Sequence, residues 1–166
     1  MVAAAGGAST LSLQPGQAAV GPLTLRWTEA RWQAGAGDGP STWRLKAEVP
    51  PVAVAPWLQQ ARNGSASALQ WSGDLHASAR IDIRAGTRFE ADLRVQRDSG
   101  DLRFSDGTTS QALGLGQAEI ELTARDGLWR LTPRIQGERL GRIGGEWIAR
   151  GAATDRWPAP GAALDG

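Results

Sequence analysis

The sequence contains no cysteine and no tyrosine, and its only lysine is Lys46. The absence of cysteine excludes disulfides, thiolate metal sites and a cysteine nucleophile within this chain. No apolar run approaches the roughly 18 residues that a membrane-spanning helix needs, and the longest bulky one, Val49–Leu58, contains three prolines. Residues 1–9 lack the basic flank and leucine-rich core of a signal peptide. We therefore expect any targeting segment to lie outside this chain.

Charge of one sign is nowhere concentrated. The 18 basic and 17 acidic residues are interleaved, and the formal net charge is +1, which gives neither the basic stripe of a nucleic-acid binder nor an acidic tail. A hydrophobic content of 41% is too high for disorder, and 166 residues suffice for a single domain. The composition predicts one globular unit over residues 1–166 without a nucleic-acid partner.

Alternation with period two is the main pattern that is present. Over 69–85 the odd positions are apolar, apart from Gly73, and the even positions are polar or charged. The pattern returns over 89–95 and 118–124, and more weakly over 23–28 and 43–49. Strands with one apolar and one solvated face are typical of antiparallel sheets. The sequence therefore predicts an all-β fold of seven to nine strands, with Asp-Gly turns at 106–107 and 126–127.

Four local features refine this prediction. Pro50-Pro51 is expected to end a strand, and Ala55–Arg62 is the only predicted helix, with Asn63-Gly64 as its stop. The alternation over 69–85 is too long for one ordinary strand, so we expect Gly73 or a turn to interrupt it. Residues 98–100 predict a turn, after which a short strand carries Leu102 and Phe104.

No residue pattern indicates catalysis. His76 is the only histidine, and its neighbours Ser72, Asp74 and Ser78 lie on one strand face without a nucleophile turn or an oxyanion hole. The carboxylates alternate with arginines, which favours cross-strand ion pairs over a metal site. Gly114-Leu115-Gly116 lacks the rest of a dinucleotide fingerprint. We expect a protein that is not an enzyme and that has no metal and no cofactor.

Several motifs of glycine, leucine and tryptophan occur at hairpin spacing. On these motifs, the chain resembles the TamB family, the inner-membrane-anchored component of the translocation and assembly module, within the AsmA-like group. The motifs are Trp71-x-Gly73-x-Leu75, Arg97-Asp98-Ser99-Gly100-Asp101-Leu102, Gln111-Ala112-Leu113-Gly114-Leu115, Gly127-Leu128-Trp129, Gly137-x-x-Leu140-Gly141-x-Ile143-Gly144-Gly145 and Arg156-Trp157-Pro158, followed by Ala163-Leu164-Asp165-Gly166.

The resemblance covers 49–166, and the strands of 1–48 are less certain. It implies a β-taco, an elongated antiparallel sheet curled into a trough with an apolar interior. It also implies a periplasmic location within an inner-membrane-anchored parent protein, a barrel partner of the Omp85 type and phospholipid movement between membranes. The chain lacks the membrane helix and the terminal aromatic signature of the family, so we expect it to be an internal fragment.

Three functional hypotheses follow. The first is a conduit for phospholipid acyl chains, the second a scaffold for nascent barrel strands that pair with a sheet edge, and the third a closed β-sandwich without a ligand. We expect the isolated chain to self-associate, because large apolar faces are rarely left in water. The residues predicted to line the conduit are Ala77, Ala79, Ile81, Ile83, Phe89, Ala91, Leu93, Val95, Leu102, Phe104, Ile120, Leu122, Trp129 and Leu131.

Overall fold

The computed structural model describes residues 9–35, 39–61, 70–105 and 107–151. This part of the chain forms thirteen strands and one short helix. The elements are β1 (Thr10–Leu13), β2 (Gly16–Val20), β3 (Leu23–Gln33), β4 (Thr42–Ala53), α1 (Ala55–Ala61), β5 (Gln70–Gly73), β6 (His76–Ala85), β7 (Phe89–Ser99), β8 (Leu102–Ser105), β9 (Ser110–Ala112), β10 (Leu115–Arg125), β11 (Leu128–Gly137), β12 (Gly141–Gly144) and β13 (Trp147–Arg150).

Ten of these strands form one antiparallel main sheet. The long strands follow one another in the order β3-β4-β6-β7-β10-β11, with short strands at both edges. The sheet does not close into a barrel. The prediction of an all-β fold built on a large antiparallel sheet, with one short helix, is confirmed. The helix ends at Ala61 in the structure, and the Asn63-Gly64 stop signal lies outside the described residues.

The predicted turn between β10 and β11 is a two-residue hairpin loop. Asp126 has φ 48° and Gly127 has φ 78°, as a type I′ turn requires at both central positions. The alternation on either side of this turn therefore pairs Arg125 with Leu128 and continues in register to Gln117 and Gln136.

A second, three-stranded sheet has the order β5-β8-β9. The long alternating segment is interrupted at Gly73, as predicted, and the part before the interruption forms β5 of this small sheet. Gly73 has φ 125°, a backbone conformation that residues with a Cβ rarely adopt. The chain leaves the main sheet again after β7, at Gly100 with φ 75°. Leu102 and Phe104, which were predicted to line the conduit together with residues of the long strands, lie on β8 of this small sheet, which pairs with β5.

The prediction that Pro50-Pro51 ends a strand is also wrong. Strand β4 continues through both prolines to Ala53. The pairing with β6 shifts register between Val49 and Val52, so the two prolines occupy a bulge, where a missing backbone N–H does not break the ladder.

Both edges of the main sheet consist of a strand broken in the middle. At one edge β1 and β2 pair with successive parts of β3, separated by Gln14-Pro15. At the other edge β13 pairs with residues 128–131 of β11 and β12 with residues 134–137. The break between them faces Pro133, which has no N–H to donate.

Among the described elements, no helix and no second sheet makes extensive contacts with the main sheet. Extensive contacts between elements occur between hydrogen-bonded strands and between α1 and β5. The buried apolar residues among those described are four alanines and two leucines, and no large side chain is fully buried. These residues therefore do not form the interdigitated core of the closed-sandwich alternative.

Candidate functional site

An uninterrupted apolar face extends across the strands of the main sheet. Its central row joins Ala47, Ile81, Leu93, Leu122 and Leu131, each directly opposite the next on neighbouring strands. Trp27 on β3 extends the row at one end and Trp147 on β13 at the other. Because residues opposite one another across paired strands share a face, the alternation of six long strands combines into one surface.

The structure brings together twelve of the fourteen residues predicted to line the conduit. They lie in register on one face of β6, β7, β10 and β11, which is where the sequence phase places them. The twelve are Ala77, Ala79, Ile81, Ile83, Phe89, Ala91, Leu93, Val95, Ile120, Leu122, Trp129 and Leu131.

The other two residues, Leu102 and Phe104, belong to the small sheet. There the ring of Phe104 lies 6.3 Å from that of Trp71, centroid to centroid. Trp71 was predicted to point toward an apolar face, and its apolar partner is this ring on β8.

The apolar face is uneven because its side chains differ in size. Ala91 and Ala124 are opposite each other and buried, the latter with 1% of its surface exposed. The rings of Phe89 and Trp129 pack beside them, with centroids 5.7 Å apart. By contrast, Ile120 keeps 39% of its surface exposed. A partly exposed apolar surface of this kind can bind an apolar ligand without rearrangement of a core.

The opposite face of the main sheet carries ion pairs between neighbouring strands. Asp82 and Asp92 are direct partners, which is unfavourable for two carboxylates. Their charges are offset by Arg84, whose Nε lies 3.6 Å from Asp82, and by Arg125, whose Nη2 lies 2.6 Å from Asp92. Such exposed pairs contribute about 0–1 kcal/mol each. Among the described residues, no group of three or more potential metal ligands occurs.

His76 lies beside this face, and its ring is hydrogen-bonded to the backbone. Its Nδ1 donates a hydrogen bond to the carbonyl oxygen of Asp74 over 2.8 Å. The hydroxyl of Ser78 donates instead to Asp98, over 3.1 Å.

Asp101 organises the junction of the two sheets, and the sequence reasoning missed it. Its Oδ1 accepts hydrogen bonds from the N–H groups of Leu102 and Leu115, at 2.8 and 3.0 Å, and its Oδ2 accepts one from Gly114 at 2.9 Å. Arg97 donates to the Gly100 carbonyl over 3.0 Å from the same side. One carboxylate therefore joins the start of β8 to the start of β10.

The sequence feature that could have indicated this junction is a repeated stretch of four residues. Ser-Gly-Asp-Leu occurs at 72–75 and again at 99–102. The two copies bond to each other: the N–H of Asp101 donates to Oδ1 of Asp74, and the N–H of Asp74 donates to the carbonyl of Asp101. The motifs that carry the family resemblance at 71–75, 97–102 and 111–115 thus meet at a structural junction between the two sheets.

The electrostatics of the junction stabilise a charged Asp101. Burial raises the pKa of its carboxyl group, but the N–H groups of Leu115, Gly114 and Leu102 and the positive charge of Arg97 outweigh burial, so the pKa lies below its ordinary value of 3.8.

Comparison of the chain with protein families, curated proteins and solved structures found no match. Within the described ranges, no helix has the length and apolar character needed to cross a membrane.

Proposed function

We propose that this chain is a segment of a lipid conduit whose apolar face binds phospholipid acyl chains. The observation that carries the proposal is the continuous apolar face, which extends in register from Trp27 to Trp147 and with which no other described element makes extensive contacts. The family resemblance supports the same function, within a periplasmic parent protein that supplies phospholipid to the outer membrane and contacts an Omp85-type barrel.

The physical driving force is removal of apolar surface from water. Each 100 Å² that an acyl chain covers contributes about 2.5 kcal/mol. The face carries no hydrogen-bond donors in its central row, so a chain bound there has no fixed position along the sheet. Lateral movement then requires no covalent step and no cofactor.

A charge placed on the apolar face tests the proposal. Ile81→Glu should reduce the phospholipid that co-purifies with the chain several-fold, because a carboxylate cannot be covered by an acyl chain without a large desolvation cost. The matched control is Arg80→Glu, the exposed neighbour on the charged face of β6. Ile120→Glu places the same charge at a more exposed position of the apolar face, where it disturbs folding less, and it should also reduce the lipid content. Equal lipid content in all three variants would overturn the proposal.

One observation favours the scaffold as a second candidate function. All described residues of β12 and β13 are exposed, and Trp147 and Ile148 keep 55% and 53% of their surface accessible. An exposed strand with apolar side chains is suited to pairing with an added strand.

The backbone direction at this edge allows the two functions to be separated. Pro133 has no N–H to donate to Ile120, its partner on β10, so we take this pair as a non-hydrogen-bonded pair of the ladder. In such pairs the N–H and C=O groups point away from the partner strand. The backbone groups of the odd residues of β11 therefore point toward β12 and β13. Ile148, which pairs with Arg130, therefore directs its N–H away from β11, to the open edge. Ile148→Pro should leave lipid binding unchanged under the conduit proposal and should abolish binding of a strand-forming peptide if the edge is a scaffold.

A further inference from the structure

One end of the main sheet combines a run of arginines on the charged face with a row of aromatic residues on the apolar face. This end contains the β6–β7 and β10–β11 turns. We call its four arginines, Arg31, Arg44, Arg84 and Arg88, the basic rim. The aromatic row consists of Trp32, Trp43 and Phe89.

The arrangement of the basic rim is unfavourable for the sheet alone. Arg31 is the direct partner of Arg44, and Arg44 is the direct partner of Arg84. Like charges directly opposite each other destabilise a sheet. Three successive arginines across three strands are therefore a local conflict of the kind that marks a functional surface.

Three of the four arginines in the basic rim have carboxylate partners nearby. Glu29 lies 3.3 Å from Nε of Arg44, and Glu90 lies 3.8 Å from Arg84. Arg88 pairs with Asp126 at 3.6 Å, and Arg84 also lies 3.6 Å from Asp82. Arg31 has no ion pair within the described part of the chain. The depression between these side chains, of about 390 Å³, is lined by the four arginines and by Glu29 and Glu90, and Arg31 is the arginine in it without a carboxylate partner among the described residues.

The aromatic row lies one residue further toward the same end. Trp32 and Trp43 are direct partners and keep 41% and 38% of their surface exposed. Phe89 pairs with Ala85, the next residue in this row. The row is continuous with the apolar face and forms its border at the turn end.

We propose that this end of the sheet docks on the surface of an anionic lipid bilayer. Tryptophan rings are favoured at the boundary between headgroups and acyl chains, and arginines bind the phosphate groups of the same layer. Both groups occur at one end of the sheet, at the border of the apolar face. The inference deepens the conduit proposal by naming the surface from which a lipid enters, and it rests on that proposal.

Flotation with phospholipid vesicles tests the docking. The full chain should bind vesicles of phosphatidylglycerol and phosphatidylcholine more tightly than vesicles of phosphatidylcholine alone. The triple variant Arg31→Gln, Arg84→Gln, Arg88→Gln should lose roughly a hundredfold in binding, since each basic residue near an anionic surface contributes about fivefold. Added inorganic phosphate should weaken binding no more than sodium chloride of equal ionic strength.

The matched control removes three arginines at the opposite end of the molecule. Arg103, Arg139 and Arg142 are all exposed, and their replacement by Gln changes the net charge equally. Equal loss of binding in both triple variants, or no preference for anionic vesicles, would overturn the inference. Ile81→Glu should leave docking intact, and the rim variant should retain acyl-chain binding in detergent, so the failure of one proposal is distinguishable from that of the other.

Discussion

At the scale of single residues, Asp101 accepts more backbone hydrogen bonds than any other carboxylate for which the structure gives hydrogen bonds. Its carboxylate accepts hydrogen bonds from the backbone N–H groups of Leu102, Gly114 and Leu115. Asp101→Asn replaces one accepting oxygen by a donor, so at least one N–H loses its partner. We expect the free energy of unfolding to fall by about 1–3 kcal/mol, measured by urea denaturation with tryptophan fluorescence.

The control for this prediction is Asp98→Asn. Asp98 is exposed and accepts a single hydroxyl hydrogen bond from Ser78, so its replacement should change the stability by less than about 0.5 kcal/mol. Equal effects of the two substitutions would contradict the role assigned to Asp101.

The lowered pKa of Asp101 predicts a dependence of stability on pH. A carboxyl group whose pKa is lower in the folded state stabilises the protein above its unfolded pKa, near 3.8, and this contribution is lost as the pH falls through the folded pKa. The stability difference between the wild-type chain and Asp101→Asn should therefore be largest near pH 7 and should shrink below pH 3.8. Urea denaturation at pH 7 and pH 3 measures both values, and a constant difference would show that the charge does not contribute.

At the level of residues, the sequence predicted which side chains of the long strands share a face, but it did not reveal the hydrogen bonds of Asp101. Alternation assigns Leu93 and Leu122 to one face without knowledge of their partners, because phase is a local property of each strand. The role of Asp101 depends on N–H groups thirteen and fourteen residues away. The repeated Ser-Gly-Asp-Leu was visible in the sequence, but its pairing depends on how two sheets meet.

At the scale of elements, the β10–β11 hairpin depends on its turn. Gly127 has a positive φ of 78°, and a residue with a Cβ loses about 1–2 kcal/mol in this conformation. Gly127→Ala should lower the free energy of unfolding by that amount in urea denaturation. Gly116→Ala, in β10, serves as the control because a Cβ there meets only the Gln136 carbonyl oxygen at 3.9 Å; a similar loss in both variants would contradict the turn assignment.

The strands that the sequence located well are those joined by short hairpins. β6, β7, β10 and β11 match the alternating segments, since a tight turn fixes both the register and the face. The sequence misplaced Leu102 and Phe104 because the chain leaves the main sheet at Gly100, and period two does not reveal which sheet a strand joins. It also ended β4 too early, because a bulge accommodates Pro50-Pro51.

At the scale of the whole molecule, the open apolar face predicts self-association of the lipid-free chain. Light scattering should show a mass that increases with protein concentration. In short-chain phospholipid micelles, which cover the same surface, the protein part of the particle mass should return to the monomer value. Ile120→Glu should shift the equilibrium toward the monomer, whereas Arg80→Glu on the charged face should not. A chain that remains monomeric at all concentrations would indicate that the face is covered by another part of the protein.

The openness of the sheet could not be derived from the sequence. A one-sided apolar sheet can be covered by a second sheet, by closure or by a ligand, and local alternation is identical in all three cases. Closure was excluded only by the strand order, which leaves β1 and β2 at one edge and β12 and β13 at the other.

Photo-crosslinking in intact cells that make the protein tests the central claim most directly. A photoreactive residue replaces Leu93, in the central row of the apolar face, and in a second variant it replaces Arg94, which lies opposite Glu121 on the charged face. We predict a phospholipid adduct at position 93 and none at position 94. Lipid adducts at neither position, or protein adducts alone at position 93, would contradict the conduit.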